Sequence, residues 1–505
     1  MKSLICLAFF SIIFFSACKK DDAVITGVPP AVLQENAASF SEVGSVTIGG
    51  TGAAEVTAYD PSTKKLFVVS NTGGTTRIDV INLANPSLPV LTGSIDISPY
   101  GSNINSVAVY NGTLAAAIEG ALKTDAGKVV VFKTSDHTVI KQITVGALPD
   151  MVCFSKDGKY ILTANEGEPN DAYTIDPLGT VSIITVADNY AAVTLDFASF
   201  TSQLATLQAG GLRMFGPGAS FAQDMEPEYV TISADSKTAW ITLQENNAIA
   251  KIDIVSKTIT SIMPLGFKNY NVDGFGIDPS DRDNFTVLAK WKVKGMYQPD
   301  ALAVYEKNNI PYIFTANEGD AREYAGFAEN RRVKDIVLDA ASFPDGPILR
   351  LDNNLGRLNI TRTLGDIGLD NDYDELYSFG ARSFSVWNGN TGTQVWDSKN
   401  ELDQKAIASG RYDDLRSDDK GAEPEGVTLG MVGNKMIAFV GLERADMMAL
   451  YDISEPAAPV FLKMLNTGDA PEGITFVSAA DSPIGKSLVI VSSENDGVIK
   501  IYRTN

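Results

Sequence analysis

Short stretches in which apolar and polar residues alternate recur along most of the chain and predict β-strands. In the clearest case, residues 149–155 are followed by the polar turn 156–159 and by the apolar residues 160–165. Alternation on both sides of a turn that contains Asp-Gly is typical of a β-hairpin. A third alternating run follows, at residues 181–186. The repeated unit is therefore expected to contain at least three antiparallel strands.

The unit recurs along the chain and predicts the architecture. We find copies that begin at Glu55, Asn105, Asp150, Glu228, Asp300, Glu425 and Glu472. The closest copies are separated by roughly the 40–50 residues of a four-stranded propeller blade, and no amphipathic helical pattern recurs between them. We therefore predict an all-β fold, a single β-propeller of about seven blades with loop insertions.

The spacing of the copies also locates the insertions and the closure of the ring. The longer gaps place insertions within residues 171–224, 270–298 and 321–422. The last copy shows only three strands before the chain ends. We expect the strand at residues 45–49 to supply the fourth, because a closed ring leaves no exposed strand edge.

The first residues have the pattern of a secretory signal peptide. Lys2 precedes a short apolar run, and the small residues Ser16 and Ala17 precede Cys18. The apolar run is shorter than a membrane span requires. Ser-Ala-Cys resembles a bacterial lipobox, so we expect Cys18 to carry lipid and to tether the protein to a membrane. The charged residues 19–22 resemble the surface-export signal of lipoproteins in the Bacteroidetes group.

These features divide the chain into three parts. We expect a lipoprotein signal peptide at residues 1–17, a lipidated tether at residues 18–43 and the propeller at residues 44–505. The expected location is the outer membrane, lipid-anchored and exposed on the cell surface. The membrane is then one partner of the protein, through Cys18.

Composition narrows the possible functions. The formal net charge of −21 disfavours nucleic acid as a partner and favours cations. The single histidine, His137, is expected in a solvent-exposed hairpin turn; one histidine excludes a histidine-rich zinc site and disfavours a Ser-His-Asp hydrolase. Once Cys6 is removed and Cys18 is lipidated, Cys153 has no partner for a disulfide and is expected to be a small buried residue. Any catalysis would depend on carboxylates, basic residues and a hard cation.

The repeat places two acidic positions in most blades. One position is at or just before the first strand, which lines the channel of a propeller, and the other ends the next strand. The first set is Glu55, Asp150, Glu228, Asp300, Glu425 and Glu472, and the second is Glu119, Glu166, Glu245, Glu318, Glu443 and Glu494. Antiparallel neighbours bring both positions to the same end of the blade. We therefore expect about a dozen carboxylates around one mouth of the channel.

Two interpretations of this ring of acids remain open. The acids can accept hydrogen bonds from backbone N–H groups of adjoining blades, which is a structural role. Alternatively, they bind cations or a ligand, because clustered carboxylates need positive compensation. Basic residues that lie near the acids in sequence are Arg322, Arg382, Arg416, Lys420 and Arg444.

Two loops have acids at the alternating spacing that suits Ca²⁺. Asp370, Asp372 and Asp374 follow one another in the loop 365–375, and a weaker version occupies residues 278–284. Oxygen ligands at such spacing can wrap Ca²⁺. The loop 365–375 is not an EF-hand, because it lacks the glycine at the sixth position and the glutamate at the twelfth. A solvated acidic turn is the alternative for both loops.

Long motifs resemble the choice-of-anchor I family. They occupy residues 146–151, 164–169, 215–218, 222–229, 243–247, 315–322, 382–385, 416–421 and 423–426. The family is similar to mesenchyme-specific cell-surface glycoproteins. The resemblance implies a YVTN/WD40-like propeller outside the cell. Some relatives carry an alkaline-phosphatase label, and calcium-dependent phytases are also propellers. The loop 365–375 departs from the family's glycine-rich pattern at Leu369 and Asn371.

These observations support two functional hypotheses. The first is an extracellular binding or scaffold propeller that recognises a glycan, a peptide or another matrix component at an acidic, cation-binding mouth. The second is a Ca²⁺-dependent phosphomonoesterase that acts on a phosphoester, with calcium or another divalent cation as cofactor. The expected metal ligands are Glu166, Glu228, Glu318, Asp320 and Glu425, and the expected phosphate clamps are Arg322 and Arg444.

Overall fold

The computed structural model describes Met1 and residues 35–72 and 74–505. The signal peptide, Cys18 and residues 18–34 of the tether lie outside the described residues. No helix in the described ranges has the length and apolarity needed to cross a membrane.

The described chain is built almost entirely from antiparallel strands. The first strand is β1 (Ser41–Thr47), and the next sheets are β2–β5 (Ala53–Asp60, Lys65–Ser70, Arg77–Asn82, Val90–Asp96), β6–β9 (Ile104–Tyr110, Thr113–Ile118, Ala126–Lys133, Val139–Ala147), β10–β13 (Pro149–Phe154, Tyr160–Asn165, Thr180–Thr185, Ala191–Asp196) and β14–β17 (Pro227–Ile232, Thr238–Leu243, Ala248–Asp253, Thr258–Pro264). The later strands are β18 (Phe267–Asn269), β19 (Lys294–Met296), β20 (Leu302–Lys307), β21 (Ile310–Asn317), β22 (Glu323–Tyr324), β23 (Phe327–Ala328), β24 (Asn330–Arg332), β25 (Asn359–Thr361), β26 (Tyr377–Ser378), β27 (Ser383–Asn388), β28 (Gln394–Asp397), β29–β32 (Pro424–Val432, Lys435–Leu442, Met447–Asp452, Val460–Asn466) and β33–β35 (Pro471–Val477, Leu488–Ser493, Val498–Arg503).

Seven four-stranded sheets of the described chain form the blades of a β-propeller. Their inner strands are β2, β6, β10, β14, β20, β29 and β33. Successive inner strands contact one another, and β33 contacts β2, so the ring is closed. A layer of buried apolar side chains fills each interface between neighbouring blades, as with Phe67 and Phe132 between the first two. The all-β propeller predicted from the repeat is confirmed.

The N-terminal strand closes the ring as expected. β1 pairs antiparallel with β35, so the last blade has the order β1-β35-β34-β33. The folded unit nevertheless begins at Glu35, before the expected boundary at residue 44. The carboxylate of Glu35 accepts hydrogen bonds from the backbone N of Ser487 at 2.7 Å and from Thr504 Oγ1 at 2.5 Å. Part of the expected tether is thus bound to the ring.

The insertions are narrower than the sequence indicated. The fifth blade is β20-β21-β27-β28, so residues expected in an insertion supply its two outer strands. A separate sheet, β18-β19-β26-β25-β24, gathers the inserted segments, and its own apolar core contains Tyr270 and Leu355. The helices of the described chain are α1 (Leu204–Ala209), α2 (Phe221–Asp224), α3 (Gly346–Leu349) and α4 (Glu401–Ser409), with 3₁₀ turns at Ala37–Ser39, Ala198–Gln203, Val333–Asp335, Leu355–Arg357, Asp414–Arg416 and Glu443–Ala445.

Two residues of unusual chemistry are placed differently from expectation. Cys153 is half-buried rather than buried, because it lies on β10 and lines the central channel. Its environment raises the pKa of the thiol to about 12. His137 lies in its predicted turn, half-buried, with its ring edge-on to Phe67 at 6.0 Å.

Candidate functional site

Six of the seven inner strands bring a carboxylate to the same end of the channel. The residues are Glu55, Asp150, Glu228, Asp300, Glu425 and Glu472, which we call the inner ring. Asn105 takes this position in the second blade. Five of the six acids directly follow a proline, which has no N–H to donate and suits the first position of a strand. The expected convergence of the inner-strand acids is therefore present.

A local irregularity in strand pairing changes the direction of most inner-ring side chains. In β10 the pairing moves from Pro149 directly to Val152, and Asp150 lies in the gap. The same irregularity occurs at the start of β2, β6, β14, β29 and β33. A bulge bends its strand and redirects a side chain. Asp150 and Glu472 consequently line a central cavity of about 370 Å³, and Asp300, which precedes β20, lines it as well.

The inner ring has few partners among the described residues. None of its carboxylates forms an ion pair with a described residue, and only Glu55 accepts a hydrogen bond, from Asn71 Nδ2 at 2.9 Å. Oxygen Oε2 of Glu228, Glu425 and Glu472 is buried without a partner. The capping role that the sequence left open for these acids is not observed, since no described backbone N–H donates to them.

Burial changes the titration of these acids. Together with neighbouring carboxylates, it raises the pKa of Glu55 to about 8 and the pKa of Asp150 to about 7. The pKa values of the other four members, Glu228, Asp300, Glu425 and Glu472, are raised well above the usual range for the same two reasons. At neutral pH the ring must therefore retain protons or be compensated by a cation.

A second tier of acids lies next to the inner ring, at the ends of the adjacent strands. Its members are Glu119, Glu166, Glu245, Glu318, Glu443 and Glu494. Burial raises the pKa of Glu245 and of Glu443 to about 7, and that of Glu166 well above its usual range.

Part of the second tier is neutralised by the protein's own basic residues. Carboxylate oxygens of Glu318, Glu423 and Glu443 lie within 4.8 Å of one another, a spacing that could hold a metal ion. Lys420 Nζ, however, pairs with Glu318 and lies 3.4 Å from Glu423. Arg444 Nη2 lies 2.9 Å from Glu443. Three carboxylates and their cations therefore form one network, which we call the Lys420 network.

Arg322, a predicted phosphate clamp, is buried against acids. Its Nη1 donates to Asp224 Oδ1 at 2.7 Å and its Nε to Glu226 Oε2 at 3.0 Å. The side chains of all three are at most 2% exposed. The guanidinium also lies 4.4 Å from the centre of the Phe215 ring. In this arrangement Arg322 binds protein carboxylates, and its clamp role stays a prediction.

A second cavity, of about 420 Å³, lies at the mouth of the channel and has Arg322 in its lining. It is lined by Glu168, Glu245, Asp320, Tyr324 and Lys420, among others. Asp320 is exposed there. This cavity thus brings together Asp320, Arg322 and Lys420, whereas Asp150 and Glu472 line the central cavity instead.

The two acidic loops are folded on themselves. Asp374 Oδ2 accepts a hydrogen bond from the backbone N of Ile367 at 3.0 Å, and Asp370 and Leu369 are exposed. The structure does not bring Asp370, Asp372 or Asp374 to the channel mouth. In the weaker loop, Asp278 accepts hydrogen bonds from the backbone N of Val287 at 2.9 Å. These contacts give both loops a local structural role, and calcium binding there stays a prediction.

Three acids of the site were missing from the predicted ligand set: Asp224, Glu226 and Glu423. A signal for two of them was present, because Glu226 and Glu423 stand directly before the Pro-Glu pairs that open β14 and β29. Glu423 also has a positive φ of 52°. Leu148, Gln298 and Ala470 precede the prolines of their blades with positive φ as well. Such strain at a repeated position persists only where the surrounding structure imposes it.

The fold and the site define an all-β propeller whose channel has a ring of acids without ion-pair partners among the described residues, next to a second tier that is compensated only in part. The model of the choice-of-anchor I domain matches residues 55–456. The chain therefore belongs to the choice-of-anchor I family.

Two curated relatives are similar to parts of the chain. Gigasin-3a of Magallana gigas is 25% identical over 190 residues, which are 31% of this chain and 66% of that protein. The mesenchyme-specific cell surface glycoprotein of Strongylocentrotus purpuratus is 24% identical over 294 residues, 49% of this chain and 38% of that protein. The chain thus matches less than two thirds of the length of either relative.

Solved structures resemble the chain only distantly. Hydrazine synthase of Kuenenia stuttgartiensis has a TM-score of 0.49 at 12% identity and covers 91% of this chain, with 97% of its own chain matched. The Cps50 (Swd1) β-propeller domain of Myceliophteria thermophila has a TM-score of 0.46 at 8% identity, over 92% of this chain and all of that one. These similarities add nothing to the functional argument.

Proposed function

We propose that the protein is a surface-anchored binding propeller that takes a cation into the inner ring of its channel. One observation carries this proposal: buried oxygens of Glu228, Glu425 and Glu472 have no hydrogen-bond partner, and no described basic residue forms an ion pair with the ring. A buried carboxylate without a partner is costly, and a bound cation would remove this cost. A divalent ion such as Ca²⁺ and the basic group of an extracellular ligand both meet this requirement.

The surface location rests on separate support. The lipobox at Cys18, the family's name and the cell-surface glycoprotein among the relatives all favour an anchored extracellular protein. β1 begins opposite Arg503, at the end of β35 that is remote from the acidic mouth. The described N-terminal strand therefore begins on the face opposite the mouth.

The phosphomonoesterase hypothesis receives less support from the geometry. A phosphate clamp requires basic groups that are available to the substrate. Arg322 is bound to Asp224 and Glu226, and Lys420 and Arg444 are bound within the Lys420 network. The cations of the mouth are thus already paired with protein carboxylates.

Calorimetric titration of the purified full chain with CaCl₂ and with MgCl₂ tests the cation proposal. We expect a cation to bind, and Glu472→Gln or Glu228→Gln to weaken binding by about tenfold or more. Glu455→Gln is the matched control, because Glu455 is 76% exposed at the rim of another blade. Absence of cation binding to the wild-type protein would refute the proposal.

A hydrolysis assay separates the two functions. Calcium-dependent turnover of p-nitrophenyl phosphate that is lost in Glu318→Gln would establish the enzyme instead.

Metabolic labelling with palmitate checks the anchor, since lipid should enter the wild-type chain and not Cys18→Ala.

A further inference from the structure

The central cavity next to the inner ring has apolar wall residues, which a site for a bare metal ion does not require. Asp150, Asp300 and Glu472 lie at one end of the 370 Å³ cavity, polar residues including Tyr59, Ser106 and Asp481 also line it, and the rest of the wall is apolar. These wall residues include Val56, Val107, Met151, Cys153, Val427 and Ile474. A hydrated divalent ion prefers oxygen ligands all round. An apolar wall below a carboxylate cluster suits a ligand with one charged end and one apolar end.

The size of the cavity fits a small organic molecule. Small-molecule sites commonly occupy about 300–1,000 Å³, with mostly apolar walls and a few polar groups that fix orientation. The apolar surface also continues away from the acids. A further cavity of about 240 Å³ shares Cys153, Tyr229 and Val427 with the first and extends to Leu429 and Val304. The channel therefore offers a path of mixed apolar and polar surface from the acids toward the opposite face.

Unpartnered polar atoms inside this cavity provide a second, independent observation. Ser106 is 2% exposed and Tyr59 is 9% exposed, and both line the cavity. Their hydroxyl oxygens have no hydrogen-bond partner among the described residues. Buried hydroxyls are normally satisfied, so these two, together with Glu472 Oε2, are polar groups that a bound molecule would satisfy.

We propose that the channel binds a small amphipathic amine, with its ammonium group at Asp150, Asp300 and Glu472 and its apolar body between the walls below. This inference rests on the proposed function and specifies the cation. The ring of Tyr229, in the same wall, adds an aromatic surface that attracts cations. Each methylene buried in the walls should raise affinity about fourfold.

The test compares probes that carry the two halves of the ligand separately. The full chain is titrated with hexylamine, with methylamine and with hexanol at pH 7, where both amines are protonated. We expect hexylamine to bind about tenfold or more tightly than either of the others. Equal binding of methylamine and hexylamine would overturn the inference, because the walls would then contribute nothing.

Two further measurements locate the site. Glu472→Gln should weaken hexylamine binding about tenfold, and Glu455→Gln should not. Cys153→Trp should block hexylamine by filling the channel while CaCl₂ binding at the carboxylates persists. If this variant does not fold, alkylation of Cys153 by iodoacetamide, followed by peptide mapping, gives the same information. We expect hexylamine to slow that alkylation, and an unchanged rate would overturn the inference.

The outcomes distinguish this inference from the proposed function. Binding of Ca²⁺ or Mg²⁺ that depends on Glu472, without binding of hexylamine, would leave the cation-binding propeller and refute the amine. Failure of every cation to bind would refute both.

Discussion

Arg322 Nη1 lies 2.7 Å from Asp224 Oδ1, and both side chains are almost completely buried. Residues 98 positions apart are thereby joined, one from the segment after β21 and the other from α2. Glu226 gives the guanidinium a second carboxylate. A buried arginine with two acidic partners holds inserted segments onto the ring, and its removal leaves uncompensated buried charge.

Arg322→Gln should therefore destabilise the fold strongly. We expect a loss of about 3–5 kcal/mol in the free energy of unfolding, because Asp224 and Glu226 would lose their buried partner. Urea unfolding followed by circular dichroism measures the change. Arg282→Gln is the control, since Arg282 is 60% exposed and its ion pair with Asp281 should contribute little. Similar losses in the two variants would contradict a structural role for Arg322.

The repeat explains why the inner ring could be predicted from sequence and the ion-pair networks could not. Five of the six inner-ring acids have a fixed place after a proline at or just before the start of a strand, so their positions follow from the blade itself. Arg322 and Lys420 lie in inserted segments without a repeat. Their partners are 98 and 102 residues away, for Asp224 and Glu318 respectively. Sequence proximity to the acids indicated basic residues at the mouth, but not that protein carboxylates already bind them.

The attachment of the N-terminal segment gives a second prediction. Glu35 accepts hydrogen bonds from Ser487 and Thr504 beside the strand that closes the ring. Glu35→Ala should lower the free energy of unfolding by about 1–3 kcal/mol, because buried donors lose a charged acceptor. Thermal unfolding measures the effect. Glu42→Ala is the control, as Glu42 is 43% exposed and pairs only with Lys500. An equal effect of both substitutions would argue against this attachment.

The raised pKa values of the inner ring give a pH dependence with a definite sign. An unfolded aspartate or glutamate titrates near pH 4, whereas the pKa of Asp150 is about 7 and that of Glu55 about 8 in the fold. The folded protein binds protons more tightly in this interval. The stability that these groups contribute is therefore complete below about pH 4 and is lost as the pH rises through 7 to 8.

Asp150→Asn isolates this contribution. Without added cations and with a chelator present, the variant should gain stability relative to the wild-type protein at pH 8 and gain little at pH 4.5. Urea unfolding at both pH values measures the difference, and Asp188→Asn, at an exposed turn, is the control. If the difference in the free energy of unfolding between the variant and the wild-type protein does not change with pH, the channel already compensates the charge of Asp150.

The last prediction concerns Lys420, whose ammonium group lies among three carboxylates at a position where a metal ion could otherwise bind. Oxygens of Glu318, Glu423 and Glu443 lie within 4.8 Å of one another, and Lys420 Nζ pairs with the first two. Lys420→Met would remove this charge and leave a group of acids at a spacing suited to a divalent ion. We expect the variant to unfold at a lower temperature in a chelator and to regain stability in CaCl₂ more than the wild-type protein does.

Lys435→Met is the matched control, since Lys435 is 54% exposed and pairs with Asp452 on another part of the surface. Calcium should shift its unfolding temperature no more than it shifts that of the wild-type protein. If calcium leaves Lys420→Met unchanged, the three acids are compensated by Arg416 and Arg444 alone. If calcium rescues it, the lysine keeps these three acids closed to metal, and external cations are directed to the inner ring, where no described basic residue forms an ion pair.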